Sequence, residues 1–229
     1  MRRLFELCAA DRDVRFSPYV WPVRMALRHK GLPFESVACT FLEKEGIAPS
    51  GGSTFPVLQE EERWVPDSLA IARHLERAHP ERPLFGGALG LAQAGLVHAL
   101  ILDRAIRPLF PLIAADVCAA LDDPSAAYFR ATRTPRVEGS LEDAAEGRED
   151  ALPRLQAGFA PFRRALDAGS FLSGDAPAYA DYGLFGAFQW CRVISPFAPL
   201  AGDAVMNAWF ERMLDLFGGE GRRAKRAAA

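Results

Sequence analysis

Apolar positions change their period several times in the first eighty residues. Leu4 to Ala9 is a near-continuous apolar run, the pattern of a strand covered on both faces. From Val20 to Lys30 the spacing becomes helical, with Val23, Ala26, Leu27 and Lys30 along one side, and Gly31 stands where such a helix would end. Phe34 to Phe41 alternates as a second strand does. Glu43 to Ser53 is rich in Gly, Ser and charge and reads as a loop or broken helix. Phe55 to Leu58 and Arg63 to Val65 predict two short strands around the charged turn QEEE. Asp67 or Ser68 then caps a helix with Ile71, Ala72 and Leu75 on its inner face.

The order β-α-β-loop-β-β-α fills residues 1–82 and predicts a small α/β domain with a mixed sheet. Pro80, Pro83 and Gly86-Gly87 mark a linker at 83–89. Beyond it no stretch alternates as a strand does, so 90–219 is expected to be an all-α bundle. Leu89 to Leu121 reads as one long helix kinked near Pro108 and Pro111. Further helices are expected at about 125–138, 147–168, 179–194 and 203–217, the last closed by Gly218-Gly219. Residues 220–229, with Arg222, Arg223, Lys225 and Arg226, read as a solvated, frayed tail.

Composition narrows the function classes. The net charge is -2 and half of the 229 residues are hydrophobic, so no strong field points to nucleic acid or a membrane surface. No apolar run has the length of a membrane span and the N-terminus has no signal-peptide core, which makes a reduced, cytoplasmic protein the expectation. The four cysteines, Cys8, Cys39, Cys118 and Cys191, form no CxxC pair and have no metal-ligand spacing, so no metal is expected.

Three short stretches carry candidate chemistry. FSPYVW at 16–21 lies between the first strand and the first helix, where thiol-disulfide proteins carry C-P-Y-C; Ser17 and Val20 occupy the two cysteine positions. Ser17 could be a plain N-cap with Pro18 in the first turn. Alternatively, free amides, the positive helix end and the Ser17 hydroxyl together would stabilise a thiolate, and with no protein thiol present a ligand would supply it. Thr54-Phe55-Pro56-Val57 puts a proline at a strand start, either an idle edge position or a cis turn that turns the Phe55 amide and carbonyl outward to pair an extended peptide. Pro66-Asp67-Ser68 caps a helix, and could also hold a carboxylate on Ser68 and an ammonium on Asp67. An amino-acid head, a peptide middle and a thiol describe glutathione as co-substrate.

With SPY at 17–19, FPV at 55–57, DS at 67–68 and GDAPAYADYGLF at 174–185, the chain resembles the glutathione transferase superfamily over nearly its whole length. The resemblance implies a thioredoxin-like first domain, a cis peptide before Pro56, Phe55 on the cysteinyl part of glutathione, Asp67 and Ser68 on its γ-glutamyl head, and Ser17 at the sulfur. Lys44 could reach the glycyl carboxylate. SPYVWPVRMALRHKGLPFE, RWVPDSLAIARHLERAHPERP and AEGREDALPRLQAGFAPFRRAL further resemble bacterial β-etherase-type transferases, which cleave lignin-derived β-aryl ethers, and related fungal enzymes. Some β-etherases carry a long C-terminal extension over the second substrate; this sequence runs only a few residues beyond Gly221, which sets a generalist beside the ether-cleaving expectation. The superfamily usually has Ser or Thr three residues before Asp181, where this chain has Ala178, so only the Asp half of a capping box is available and Asp181 is expected to be structural.

The expected reaction is attack of the glutathione thiolate on a hydrophobic aromatic electrophile bound between the domains, with Tyr19, Trp21, Phe41, Phe110 and Trp190 as candidate pocket residues. Arg107 is either a surface charge or a contact for an anionic substrate. The resemblance also implies a homodimer. The competing classes are a non-catalytic binding or assembly protein of the same fold and a glutathione-dependent reductase or peroxidase, which would want cysteine at 17.

Overall fold

In the computed structural model, which describes residues 1–227, the first half follows the expected order. Strand β1 is Arg2–Leu7, helix α1 Val20–Lys30, β2 Glu35–Cys39, β3 Val57–Glu60, β4 Arg63–Pro66 and α2 Ser68–Ala78, with a 3-10 turn at Glu45–Ser50. The sheet order is β2-β1-β3-β4. Strands β1 and β2 are parallel, joined through α1, while β3 runs antiparallel to both β1 and β4. The expected mixed sheet and the helical second half are therefore both present. β1 ends at Leu7; the Cys8 amide still donates to the Cys39 carbonyl at 2.9 Å, while Cys8 also bridges Arg15, and this bend carries the chain into the Ser17 loop.

The remaining helices are α3 Ala88–Ile101, α4 Arg107–Ala119, α5 Asp123–Arg133, α6 Leu141–Glu146, α7 Arg148–Ala157, α8 Ala160–Leu166, α9 Tyr179–Ile194 and α10 Ala204–Gly219. The break in the long helix expected from Leu89 to Leu121 is a π turn at Leu102–Ile106, upstream of both prolines. Pro108 has no amide for the Arg104 carbonyl one turn back, and the wider turn absorbs that missing bond. Helix α6 lies where none was expected; Ser140 and Asp143 cap each other's backbone amides at 3.0 Å, an Asp performing the Glu half of a capping box. The helix expected over 147–168 divides into α7 and α8 at Gly158-Phe159.

Helix α9 is the most deeply packed and lies against α1. Gly186 makes that contact possible: a Cβ there would stand 2.3 Å from the Pro18 carbonyl oxygen and 2.8 Å from the Pro22 ring. Asp181 at its start is fully buried. Its carboxylate accepts from the Leu172 amide (2.7 Å), the Ala178 amide (3.1 Å) and the Trp209 indole (3.0 Å), the structural role expected of it. The Tyr179 hydroxyl donates to the Ser68 carbonyl at 2.9 Å, tying α9 to α2.

The basic tail does not fray as far as Ala227. Glu220 accepts from Arg24 (2.8 Å) and Arg28 (3.0 Å) of α1. Lys225 reaches Asp11 (2.6 Å), and the Ala227 amide donates to the Val193 carbonyl (2.8 Å). Opposite charges distant in sequence dock a segment whose own composition reads as solvated. Arg24 also clamps the fully buried Glu6 carboxylate through both oxygens at 2.7 and 2.8 Å. Among the described residues no helix is long and apolar enough to cross a membrane, and no cluster of three or more His, Cys, Asp or Glu side chains could hold a metal ion.

Candidate active site

A cleft of about 550 Å³ opens between the sheet domain and the helices. Ser17, Lys44 and the Ser53-Thr54-Phe55 stretch lie along one wall. Phe110 of α4, Tyr128 and Phe129 of α5 and Trp190 of α9 form much of the other.

Ser17 is 3% exposed, at the floor of the cleft. Helix α1 begins three residues later, so neither Ser17 nor Pro18 holds the capping position; Tyr19 does, without a side-chain bond. Ser17 instead accepts the Tyr19 amide on Oγ at 3.3 Å and the Val20 and Trp21 amides on its carbonyl at 3.2 and 3.4 Å. This corrects the expectation of free amides at the helix start. The nearest amides are taken by Ser17 itself. What remains for a ligand is the hydroxyl proton, which has no acceptor among the described residues, and the positive end of α1.

Phe55 precedes β3 and takes no part in its pairing register, which begins at Val57. The Phe55-Pro56 peptide is cis. Pro56 itself is buried behind the wall and does not line the cleft. Lys44 is half-buried, its ammonium 5.5 Å from the centre of the Tyr128 ring across the opening.

Asp67 lines a separate depression beside α2, and neither Asp67 nor Ser68 lines the Ser17 cleft. Asp67 Oδ1 accepts the Leu69 and Ala70 amides at 3.0 and 2.9 Å, so the capping role is real. The residue is exposed, holds φ 74 and ψ 131, and leaves Oδ2 without a protein hydrogen bond among the described residues. A non-glycine residue held at positive φ is an uncommon conformation that clusters at ligand sites. Ser68 is buried, and its amide is the one N-terminal donor of α2 that Asp67 does not occupy. The pairing of Val57 with Pro66 sets Asp67 beside the Phe55-Pro56 turn, so the recess adjoins the end of the cleft wall.

The far wall is aromatic and basic. Phe41 joins the walls, with ring centres 5.9 Å from Tyr128, 5.8 Å from Phe129 and 6.3 Å from Phe16. Phe110 continues the surface to Trp190, stacked at 6.4 Å. The Trp190 indole N–H is buried and has no partner among the described residues. Trp21, expected in this pocket, is not there: its indole donates to the Arg15 carbonyl at 3.0 Å and its ring packs edge-on against Phe185 in the core. Sequence reasoning missed Tyr128, Arg133 and Arg136, all of which line the cleft beside Arg107. Burial raises the Tyr19 phenol, and Arg107, Arg136 and Arg133 pull against that shift. Among the cysteines, burial pushes Cys39 up to about 11 and raises Cys8, so neither supplies a thiolate near neutral pH.

Comparison with known proteins agrees with this architecture. Residues 13–83 match the family model for the glutathione S-transferase N-terminal domain, and residues 92–217 that for the C-terminal domain. The chain is 24% identical over 204 residues to the glutathione S-transferase-like protein ustS of Aspergillus flavus, covering 76% of this chain and 74% of that one. A glutathione S-transferase of Ceriporiopsis subvermispora, solved in complex with glutathione, superposes with a TM-score of 0.80 at 25% identity, covering 94% of this chain and 96% of that one. A glutathione transferase of Phanerochaete chrysosporium gives 0.74 at 26% identity, with 95% and 92% covered. Both halves of the chain thus match the halves of one fold, and the protein belongs to the glutathione S-transferase family.

Proposed function

We propose that this protein is a glutathione transferase in which Ser17 ionises the bound thiol for attack on a hydrophobic aromatic electrophile. The carrying observation is the Ser17 hydroxyl, buried at the cleft floor, which accepts from the Tyr19 amide and whose proton has no acceptor among the described residues. Hydrogen bonding to the charged form, beside the positive end of α1, lowers a thiol pKa. Serine is not the base; the thiol proton leaves to solvent.

In this reading glutathione lies along the Phe55 backbone, which stays outside the β3 ladder beside the buried Pro56. Its γ-glutamyl carboxylate meets the Ser68 amide, its ammonium the open oxygen of Asp67, and its glycyl carboxylate Lys44. Residues 1–82 would serve as the glutathione-binding domain, 83–89 as linker and 90–219 as the substrate domain. The thiolate sulfur attacks an electrophilic carbon held on the Phe110-Phe129 surface. A carbon–sulfur bond forms, the bond to an aryl oxide or halide breaks, and the leaving group departs with its electron pair. Holding sulfur and carbon together supplies much of the acceleration, and thiolate activation the remainder.

Ser17→Ala should raise the pKa of bound glutathione, read as thiolate absorbance against pH in the binary complex. An unchanged titration removes Ser17 from the role. Ether cleavage is the finer reading, supported by the extended aromatic cleft; incubation with glutathione and either a β-aryl ether dimer or a halonitrobenzene distinguishes it from a generalist by product. Helix α3 carries no Asp, Glu, Lys or Arg, and it exposes Leu89 and Leu96 one heptad apart. An apolar helix with an uncovered face favours a homodimer, checked by sedimentation of wild type against Leu96→Glu. The four buried free thiols suit a reducing cytoplasm, and recovery in a periplasmic or secreted fraction would refute that.

A further inference from the structure

The charge on the cleft is one-sided. Its lining includes Lys44, Arg107, Arg133 and Arg136 and no Asp or Glu, in a chain whose net charge is -2. Arg107 is exposed and pairs with Asp103 one turn back on the same helix. Arg133 and Arg136 have no carboxylate partner among the described residues, although Arg130, on the same helix, is paired with Glu142 at 2.7 Å.

Arg133 is the informative member. It is half-buried at the end of α5, its guanidinium carbon 5.9 Å from the centre of the Phe129 ring. Burial first, and then the like charge of Arg136, lower its pKa. A partly desolvated guanidinium beside a second one is unfavourable unless an anion joins them. Tyr19 lines the same cleft as these cations, and its phenol, protonated near neutral pH, can donate as well. This cluster adjoins the aromatic surface where the electrophile would lie.

Glutathione does not account for these cations. In the transferase reading its charged ends meet Lys44 on the opposite wall and Asp67 and the Ser68 amide at the adjoining recess. Arg107, Arg133 and Arg136 all come from the helical domain: α4, the end of α5, and the 3-10 turn Thr134–Arg136.

Resting on the transferase reading, we propose that the electrophile is an aromatic compound bearing a carboxylate, held by the Arg133-Arg136 pair with Tyr19 while its ring lies on Phe110 and Phe129. The planar guanidinium fork matches a carboxylate through paired N–H donors, and such charge-assisted bonds are among the stronger ones.

The test uses two electrophiles that undergo the same displacement, 1-chloro-2,4-dinitrobenzene and 4-chloro-3,5-dinitrobenzoate. In each, a carbon–sulfur bond forms, the carbon–chlorine bond breaks, and chloride leaves. Binding of the two glutathione conjugates is measured alongside by calorimetry, so that the readout does not depend on turnover. The benzoate should have the lower KM and its conjugate the tighter binding, by about tenfold or more. Added salt should narrow the gap. In Arg133→Gln and Arg136→Gln the ratio between the two conjugates should fall towards one.

Equal or weaker binding of the benzoate conjugate, with glutathione itself bound, overturns the anion assignment and leaves the transferase reading standing. Arg133→Gln weakening glutathione as much as the benzoate conjugate also overturns it, since the guanidinium would then serve the tripeptide. If neither glutathione nor either conjugate binds, the transferase reading fails and the inference fails with it.

Discussion

The two walls of the cleft are built by different physics. The sheet-domain side offers backbone and short polar groups fixed at element junctions: the Ser17 hydroxyl before α1 and the Phe55 peptide before β3 on the wall, and the Ser68 amide starting α2 beside the adjoining recess. The helical wall offers long side chains from the middles and ends of helices, rings from Phe110, Phe129 and Trp190 and guanidiniums from Arg107, Arg133 and Arg136. A wall made of backbone geometry suits one constant ligand. A wall made of side chains changes its ligand when single residues change, without disturbing the fold. On the proposed function, glutathione belongs to the first wall and the electrophile to the second.

Both assignments require a rigid frame, and the largest expected effect comes from breaking it. Arg24 lies between Glu6, fully buried in β1, and Glu220 in the C-terminal segment. Arg24→Met would leave Glu6 with only the more distant Arg15 at 3.5 Å and the Ser36 hydroxyl. Removing one partner of a buried pair costs about 3–5 kcal/mol, measurable by urea unfolding. The double variant Glu6→Gln/Arg24→Met should recover part of that loss, because the uncompensated charge is gone. A single-variant loss below about 1 kcal/mol would show that the pair is solvated, against the burial seen here.

The sheet domain should also be the acid-sensitive half. Burial pushes the Glu60 carboxyl up, but hydrogen bonds from His74, His79 and Arg2 outweigh it and hold the group at about 2. His74 is on α2 and Glu60 ends β3, so this cluster ties the helix that Asp67 caps to the sheet. A carboxyl depressed on folding stabilises the protein above its unfolded value near 4.3 and loses that contribution as pH falls towards 2. The contribution is about 3 kcal/mol at neutral pH. Glu60→Gln should therefore be less stable than wild type at pH 7, and the gap should narrow as urea unfolding is repeated at lower pH. A gap that is constant with pH would assign the loss to packing. The helical wall, held mainly by ring contacts, should respond little over the same range.

The two walls were not equally legible in the sequence, for the same reason that they differ. SPY, FPV and DS could be read because proline and capping chemistry are local: Pro18, Pro56 and Asp67 announce what the backbone does within a few residues. Even there the reading stopped short at Ser17, where distance-dependent bonding and not residue type decides which amides are free. Tyr128, Arg133 and Arg136 reach the cleft only through the packing of α5 against α4 and Phe41, and an arginine on a helix reads as solvated. One signal was available. Arg133 and Arg136 have no acidic residue three or four positions away, whereas Arg107 has Asp103. The docked tail was hidden for a similar cause, since partners distant in sequence decide it, whereas the break before Pro108 was legible as a kink and only its π form and place were not.

A sharper cut between the walls uses one substitution on each. Asp67→Asn keeps a cap but removes the charge offered to an ammonium. It should raise KM for glutathione about tenfold, with little change for the electrophile. Phe110→Ala removes a ring from the opposite surface and should raise KM for an aromatic electrophile by a similar factor, with glutathione unaffected. Initial-rate measurements with each substrate varied in turn separate the two. If both variants raise both constants equally, the walls are coupled and the division by wall is wrong.

The smallest effect falls on the residue that belongs least clearly to one side. Lys44 arises from the loop after β2, yet its ammonium sits 5.5 Å from the Tyr128 ring of the helical wall. It is half-buried and makes no ion pair among the described residues, so its energy with either partner is modest. If it serves the glycyl carboxylate, Lys44→Met should raise KM for glutathione by a few-fold, the value of a partly screened ion pair of about 0.5–1 kcal/mol. The effect should fade in added salt, because the contact is electrostatic. Methionine preserves most of the stem over Tyr128, so the aromatic surface should hold the electrophile as before. A rise in electrophile KM instead would make Lys44 a fourth cation of the helical side. The basic face would then span both walls, and glutathione would have to find its glycyl partner elsewhere on the sheet domain.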